Sequence, residues 1–445
     1  MTAAPADSPS DQSGQSVPSA QDEVVDLLVE LIRINTSNPT NPERPAAEWV
    51  AAKLAEVGVE SQIIEAAPGR ASTVARIEGA DSSRPPLLIH GHLDVVPADA
   101  GEWSVDPFAG EIRDDYVWGR GAIDMKDMDA MTLALVREWQ RTGRKPPRDI
   151  VLAFVSDEEA GGRQGAHYLV DNHADLFADC TEAISEVGGF SISLSEDARV
   201  YLIQTAEKGI HWLRLLASAP PGHGSMRHEQ NAVTNLARAV SRIGDHDWPI
   251  VITDTVKATV EGLAALTGRD VDAADPDSWL PMLGGAARMI GATIRNTANP
   301  TMLEAGYKVN VIPGRAEASI DTRFLPGQEE QMLAVLDELM GPGIIRETIV
   351  SDIAVETQFE GALVDAMSAA LRAEDSGAHA LPFLMSGGTD AKSFSTLGMK
   401  CFGFSPLRMP ADLDFMSLFH GIDERVPVEG LKFGVRVLDR LLADC

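Results

Sequence analysis

An α/β layer built on a mixed, largely parallel sheet flanked by helices, and interrupted by an inserted α+β domain, is the architecture this sequence predicts. Short apolar runs alternate with helical patterns at both ends of the chain, and between about residues 209 and 354 that rhythm breaks. Polar residues gather where the apolar runs stop, as they do at ligand sites on open α/β sheets. The chain has 445 residues, 44% of them hydrophobic, which is enough to build a sizeable core and fits two domains or one large α/β unit.

The first 20 residues, MTAAPADSPSDQSGQSVPSA, have neither a basic start nor an apolar stretch and read as a disordered tail. From Asp22 to Ile34, Val24, Val25, Leu27, Leu28, Leu31 and Ile32 recur at helical spacing. Pro45 opens a second helix that Gly58 closes. The runs 86–90, 150–155 and 183–185 read as buried strands, separated by helices over 124–142 and 163–173. This gives a first part of the layer over 21–208. The domain inserted over 209–354 then reads as strand (IHWLRLLAS), helix 229–243, strands near 307–323, helix 328–340 and a strand near 344–354. Its stretch 268–289 is irregular. The layer resumes over 355–445 with a helix at 359–374, a Gly-rich SGGTD turn, the strand KCFGF and a closing helix at 428–443.

Lys and Arg number 37 against 67 Asp and Glu, so the net charge is 37 − 67 = −30. A field of that sign repels phosphate backbones and anionic lipid, and nucleic acid and membrane are not expected as partners. No run approaches the roughly 18 apolar residues of a membrane span. Cys180, Cys401 and Cys445 form no paired motif, which fits a reducing cytoplasm.

The chemistry lies at the ends of the apolar runs. His92 and Asp94 stand two apart beyond the first run, a spacing at which a carboxylate holds an imidazole with one nitrogen free. Alone, the pair is an ordinary strand-end histidine with a capping aspartate. Asp124, in GRGAIDMKD, stands where a carboxylate also serves as a plain helix cap. Glu158 and Glu159 follow the second run, and adjacent carboxylates repel unless a cation lies beside them. One of such a pair can ligate metal while its neighbour stays free as a general base. Glu186 and His420 add two further donors, each unremarkable alone.

Taken in order, HGHLDVVP, GRGAIDMKD, SDEEAGG and SEVGGF resemble the dinuclear zinc amidohydrolases of the M20 peptidase family, which includes dipeptidases, carboxypeptidases, aminoacylases and desuccinylases. The resemblance runs from about residue 22 to the end of the chain. It implies two Zn2+ ions per subunit, with Co2+ or Mn2+ as substitutes: His92 would ligate one, Asp124 would bridge the two, Glu159 and His420 would complete the two spheres, and Glu186 would be the remaining carboxylate ligand. Asp94 would orient His92, and Glu158 would be the base. In the inserted domain, which the resemblance makes a lid and dimerisation domain, His223 of PPGHGS would bind the developing oxyanion and Asn310 would face substrate. Arg323 would clamp the substrate carboxylate, with Gly387, Gly388 and Thr389 adding donors. A Gly-rich turn needs no such role on its own account.

The implied activity is hydrolysis of an amide bond next to a free carboxylate in a dipeptide, short peptide or N-acyl amino acid. The phrase EWSVDPFAGEIRDDYVWGRG leans toward the carboxypeptidase and N-acyl-amino-acid branch. A dedicated deacylase such as a succinyl-diaminopimelate desuccinylase has the same ligand set, but no basic cluster marks an acidic acyl pocket. A non-catalytic amino-acid-binding protein on this fold is the reading from another class, and it conflicts with the presence of every ligand and the base. The resemblance also implies a homodimer through the inserted domain, with the apolar strand Ile210–Ala217 pairing edge to edge and His223 acting across the interface.

Overall fold

The computed structural model describes residues 18–195 and 197–445. The tail expected over 1–20 falls, up to residue 17, outside the described residues. Two compact units emerge. The first comprises the chain up to Gln204 with Phe359–Leu381 and Thr389–Cys445; the second comprises Thr205–Gln358 with Pro382–Gly388.

The first unit is built on a mixed sheet. Its order runs Ser61–Ala67, Arg70–Ile77, Ile150–Val155, Leu87–His92, Glu182–Ser185, Lys400–Gly403 and Arg199–Glu207. The four strands from Ile150–Val155 to Lys400–Gly403 are mutually parallel, and the flanking pairs are antiparallel. Parallel strands are covered on both faces, which is why Ile150–Val155 is a continuous apolar run with every residue buried. Val151, Ala153 and Val155 enter one cluster with Ala166, Leu169, Phe177, Ala391 and Phe394. The helices Ala20–Arg33, Lys126–Thr142, Ala362–Glu374 and Val428–Asp444 pack on one another as a separate layer. The first of these starts at a capping box in which the Ser19 side chain and Asp22 satisfy each other's backbone N–H groups.

In the second unit a four-stranded antiparallel sheet is ordered Thr297–Ala305, Arg315–Phe324, Gly209–Ser218, Ile344–Asp352. Alternation sets its faces. Leu213, Leu215 and Ala217 point into a core with Leu236, Ile243, Met332 and Leu336 from the helices Ala232–Gly244 and Glu329–Met340, while Trp212 and Arg214 point out. One expectation is corrected here. The strand holding Ile210–Ala217 is interior, paired along its length on both sides, so its N–H and C=O groups are spent within the unit. The edges are Thr297–Ala305 and Ile344–Asp352, where Met302, Leu303, Ile345 and Ile349 are exposed. No helix among the described residues is long and apolar enough to cross a membrane.

Candidate active site

The carboxyl ends of the parallel strands carry the site. His92 is the last residue of Leu87–His92, Glu186 follows Glu182–Ser185, and Asp157, Glu158 and Glu159 follow Ile150–Val155. Glycine between His90 and His92 lets side chains close in, because a Cβ on Gly91 would lie 2.3 Å from Asp129 Oδ1 and 2.8 Å from Met125 Cε and would force both side chains to move. Asp124 does not cap the following helix. That helix begins at Lys126 with Met125 at its N-cap and no side-chain cap, and the Asp124 carboxylate turns to the histidines instead.

Asp124 is the hinge of the arrangement. His92 Nε2 lies 3.1 Å from Asp124 Oδ1 and 3.4 Å from Glu186 Oε2, and His420 Nε2 lies 3.2 Å from both Asp124 Oδ2 and Glu159 Oε2. Two donor groups result, His92–Asp124–Glu186 and Asp124–Glu159–His420, each with its ligand atoms within 4.8 Å of one another. Glu158 belongs to neither group, although its Oε2 is 3.9 Å from His92 Nε2. His92 Nδ1 meets the Asp94 main-chain carbonyl at 2.9 Å, which directs Nε2 toward the carboxylates. The Asp94 carboxylate, 3.7 Å from the same nitrogen, is committed elsewhere: Oδ1 accepts the Glu158 N–H, and Oδ2 accepts the Glu159 N–H and Asn38 Nδ2. Asp94 thus orients His92 through its backbone and the Glu158–Glu159 turn through its side chain.

Burial and hydrogen bonding set the electrostatics of the donor groups. Burial pushes Glu158 well above the usual carboxylate range, and the Glu186 charge adds to it. Burial likewise raises Glu186 to about 7 and lifts Glu159. Asp124 is also buried, but hydrogen bonds from His420 and His92 outweigh that cost and hold it below the usual range. Hydrogen bonds to Asp124 and then Glu159 raise His420 to about 10. Glu159 Oε1 is buried without a hydrogen-bond partner. A concentration of buried oxygen donors with two imidazoles among them, sharing one carboxylate, fits a pair of divalent cations.

The other expected residues lie mainly in the second unit. His223 and Asn310 come together there, because Gly222–His223 pairs with Val311–Ile312 and the Gly224 N–H donates to the Asn310 carbonyl at 2.9 Å. Both are exposed. The Ser225 N–H donates to His223 Nδ1 at 3.3 Å and the Ser225 hydroxyl lies 2.8 Å from it, so Nδ1 serves as an acceptor. Arg323 is engaged: Nε and Nη2 grip the Asp321 carboxylate at 2.7 and 3.1 Å. Gly387 and Gly388 are partly exposed, and Thr389, in the first unit, uses its hydroxyl to accept the Ala391 N–H at 3.1 Å.

Sequence reasoning missed Asn38 as the link between Asp94 and Asp157, which it reaches at 2.9 and 3.3 Å. It also missed Arg120 and Glu424. The available signal was spacing: each stands four residues from a donor, Asp124 and His420 respectively.

Residues 88–444 match peptidase family M20/M25/M40, and the chain belongs to that family. It is a hydrolase acting on amide bonds. It is 28% identical to the N-fatty-acyl-amino acid synthase/hydrolase PM20D1 of Xenopus tropicalis, over 94% of this chain and 85% of that one. It is 27% identical to aminoacylase-1 of Sus scrofa, over 94% of each chain. Among solved structures, the M20 family metallo-carboxypeptidase Sso-CP2 from Sulfolobus solfataricus superposes with a TM-score of 0.71 at 19% identity, covering 95% of this chain and 99% of that one.

Proposed function

We propose that the protein is a two-metal hydrolase that cleaves an amide bond next to a free carboxylate, with N-acyl amino acids as the first substrates to consider and dipeptides or short peptides as the alternatives. One observation carries the reading: two donor groups share Asp124, and a half-buried glutamate, Glu158, stands beside them without joining either. Relatives named for N-fatty-acyl amino acids and for aminoacylase activity support the choice of substrate. His92 and Glu186 would hold one ion, Glu159 and His420 the other, and Asp124 both. When bound, the two ions, zinc in this reading, polarise the scissile carbonyl and acidify the attacking water. Glu158 takes the water proton on its carboxylate and passes it to the leaving nitrogen, a task open to a carboxylate that stands beside both donor groups without joining either. Asp94 fixes Glu158 by accepting its backbone N–H. His223 Nε2–H donates to the developing oxyanion, with Asn310 beside it on the paired strands. Arg323 binds the substrate carboxylate by exchanging it for Asp321, and Gly387, Gly388 and Thr389 complete that end of the site.

The chain acts in this reading as a homodimer through the second unit, with the exposed edges Thr297–Ala305 and Ile344–Asp352 as the available pairing surfaces. The test is a screen of zinc-, cobalt- and manganese-loaded protein against N-acyl amino acids, dipeptides and their carboxamide forms. Turnover of free acids well above amides is expected. Equal turnover of both forms overturns the carboxylate requirement, and no hydrolysis of either class by metal-loaded protein overturns the reading. Mixing Glu158→Gln with His223→Ala subunits restores activity if His223 acts across a dimer, and gives none after verified subunit exchange if it does not.

A further inference from the structure

Glu424 is completely buried, four residues beyond His420. Its carboxylate receives four donors from the segment that ends at Asp124: Oε2 accepts Arg120 Nη1 at 2.7 Å and the Gly121 N–H at 3.1 Å, and Oε1 accepts the Ile123 and Asp124 N–H groups at 2.8 and 3.3 Å. Arg120, also buried, donates its second terminal nitrogen to the Gly421 carbonyl at 2.8 Å, on the residue after His420. The Gly119 N–H closes the loop by donating to the Glu424 carbonyl at 3.0 Å. His420 itself has φ +55°, a left-handed conformation that a non-glycine residue keeps only when its surroundings impose it.

A buried ion pair contributes little net stability compared with apolar packing of the same volume, so fold stability alone does not account for this one. Its geometry does. Every hydrogen bond made by the two side chains ends within four residues of Asp124 or His420, two donors about 300 residues apart in the chain that share a group. We propose that Arg120 and Glu424 are a positioning pair: Glu424 sets the bridging carboxylate of Asp124, and Arg120 sets the peptide after His420, so that the loop-borne donor group is formed before a cation arrives. The proposal rests on the metal reading of Asp124 and His420.

The test is a cobalt titration of chelated protein, read by calorimetry and by visible absorption, which reports ligand geometry. Wild type should take up two equivalents. Glu424→Gln should weaken both equivalents by about tenfold or more, because Asp124 serves both groups. Arg120→Lys keeps the charge opposite Glu424 but has no second nitrogen for the Gly421 carbonyl. It should weaken the equivalent held by Glu159 and His420 by about tenfold, with an altered spectrum, and leave the other within about threefold. Circular dichroism establishes that each variant is folded; if Glu424→Gln is not, Arg120→Lys decides. Folded variants with wild-type affinities and spectra overturn the positioning role, and equal weakening of both equivalents by Arg120→Lys overturns its assignment to the His420 loop. Wild type that binds no cobalt overturns the metal reading, and this pair with it.

Discussion

In the first unit the candidate residues are buried carboxylates with too little positive charge among them; in the second they already have partners. Asp124, Glu158, Glu159 and Glu186 crowd two imidazoles, and burial lifts three of the four carboxyls. Arg323 by contrast is gripped by Asp321, and its unit pairs Arg346 with Asp337 in the same way. The two arrangements constrain a ligand differently. An unsatisfied set of buried like charges costs several kcal/mol unless a counter-charge arrives, so it specifies its cation. A satisfied surface pair costs little and specifies nothing until a competitor displaces one member.

The largest effect follows from the first unit. Chelation should abolish turnover and zinc should restore it, checked by activity against metal content from elemental analysis. Activity persisting in metal-free protein would erase the contrast between the units. Next comes Glu158→Gln, which keeps the side chain's size but removes the proton acceptor. Turnover should fall about 100-fold or more while two metal equivalents remain bound. Metal loss in that variant would place Glu158 among the ligands and exchange its role with that of Glu159.

A smaller effect is the pH dependence of metal uptake. His420 is raised from 6.5 to about 10 by Asp124 and Glu159, so in chelated protein its proton stabilises the fold fully below pH 6.5, and that contribution is lost as pH rises through about 10. A metal needs the neutral ring. Apparent affinity should therefore climb by roughly tenfold per pH unit for each proton displaced, flattening near pH 10. Calorimetry in buffers of different ionisation enthalpy counts the protons released, and affinity that does not vary between pH 7 and 9 would show that His420 is already neutral there.

What the sequence made legible follows the same division. Leu87–His92 and Ile150–Val155 could be read because burial on both faces makes each a continuous apolar run with polar residues only at its end. Ser61–Ala67 is mostly exposed or half-buried and has no such pattern. Thr297–Ala305 carries Pro300 beside a register shift and exposes nearly every residue, so neither alternation nor apolar content marked it. The helix Asp254–Thr267 falls between the predicted helix 229–243 and the strands near 307–323, where the sequence reading places no element, although Thr253 caps it. Among site residues, placement at strand ends made His92, Asp94, Glu158, Glu159 and Glu186 candidates, and their roles came only from the resemblance carried by the four motifs taken in order. Glu424 and Asn38 act by accepting or donating hydrogen bonds across tens to hundreds of residues, a relation that no local pattern encodes.

The smallest predicted effect tests the second unit's side of the comparison. Arg323 and Asp321 stand two apart on one face of Arg315–Phe324, the guanidinium 23% and the carboxylate 32% exposed, so the pair is cheap to open. A substrate carboxylate binding there gains a bidentate partner but must release Asp321, and only the difference reaches kcat/KM. Arg323→Ala should accordingly lower kcat/KM for free-acid substrates by about tenfold, about 1.4 kcal/mol, and leave carboxamide analogues nearly unchanged. Asp321→Asn removes the competitor while keeping the side chain's shape, so KM should fall a few-fold with kcat held. If Asp321→Asn instead raises KM to the level of Arg323→Ala, Asp321 is the support that aims the guanidinium rather than its rival, and the paired charges of the second unit are built for binding as strictly as the unpaired ones of the first.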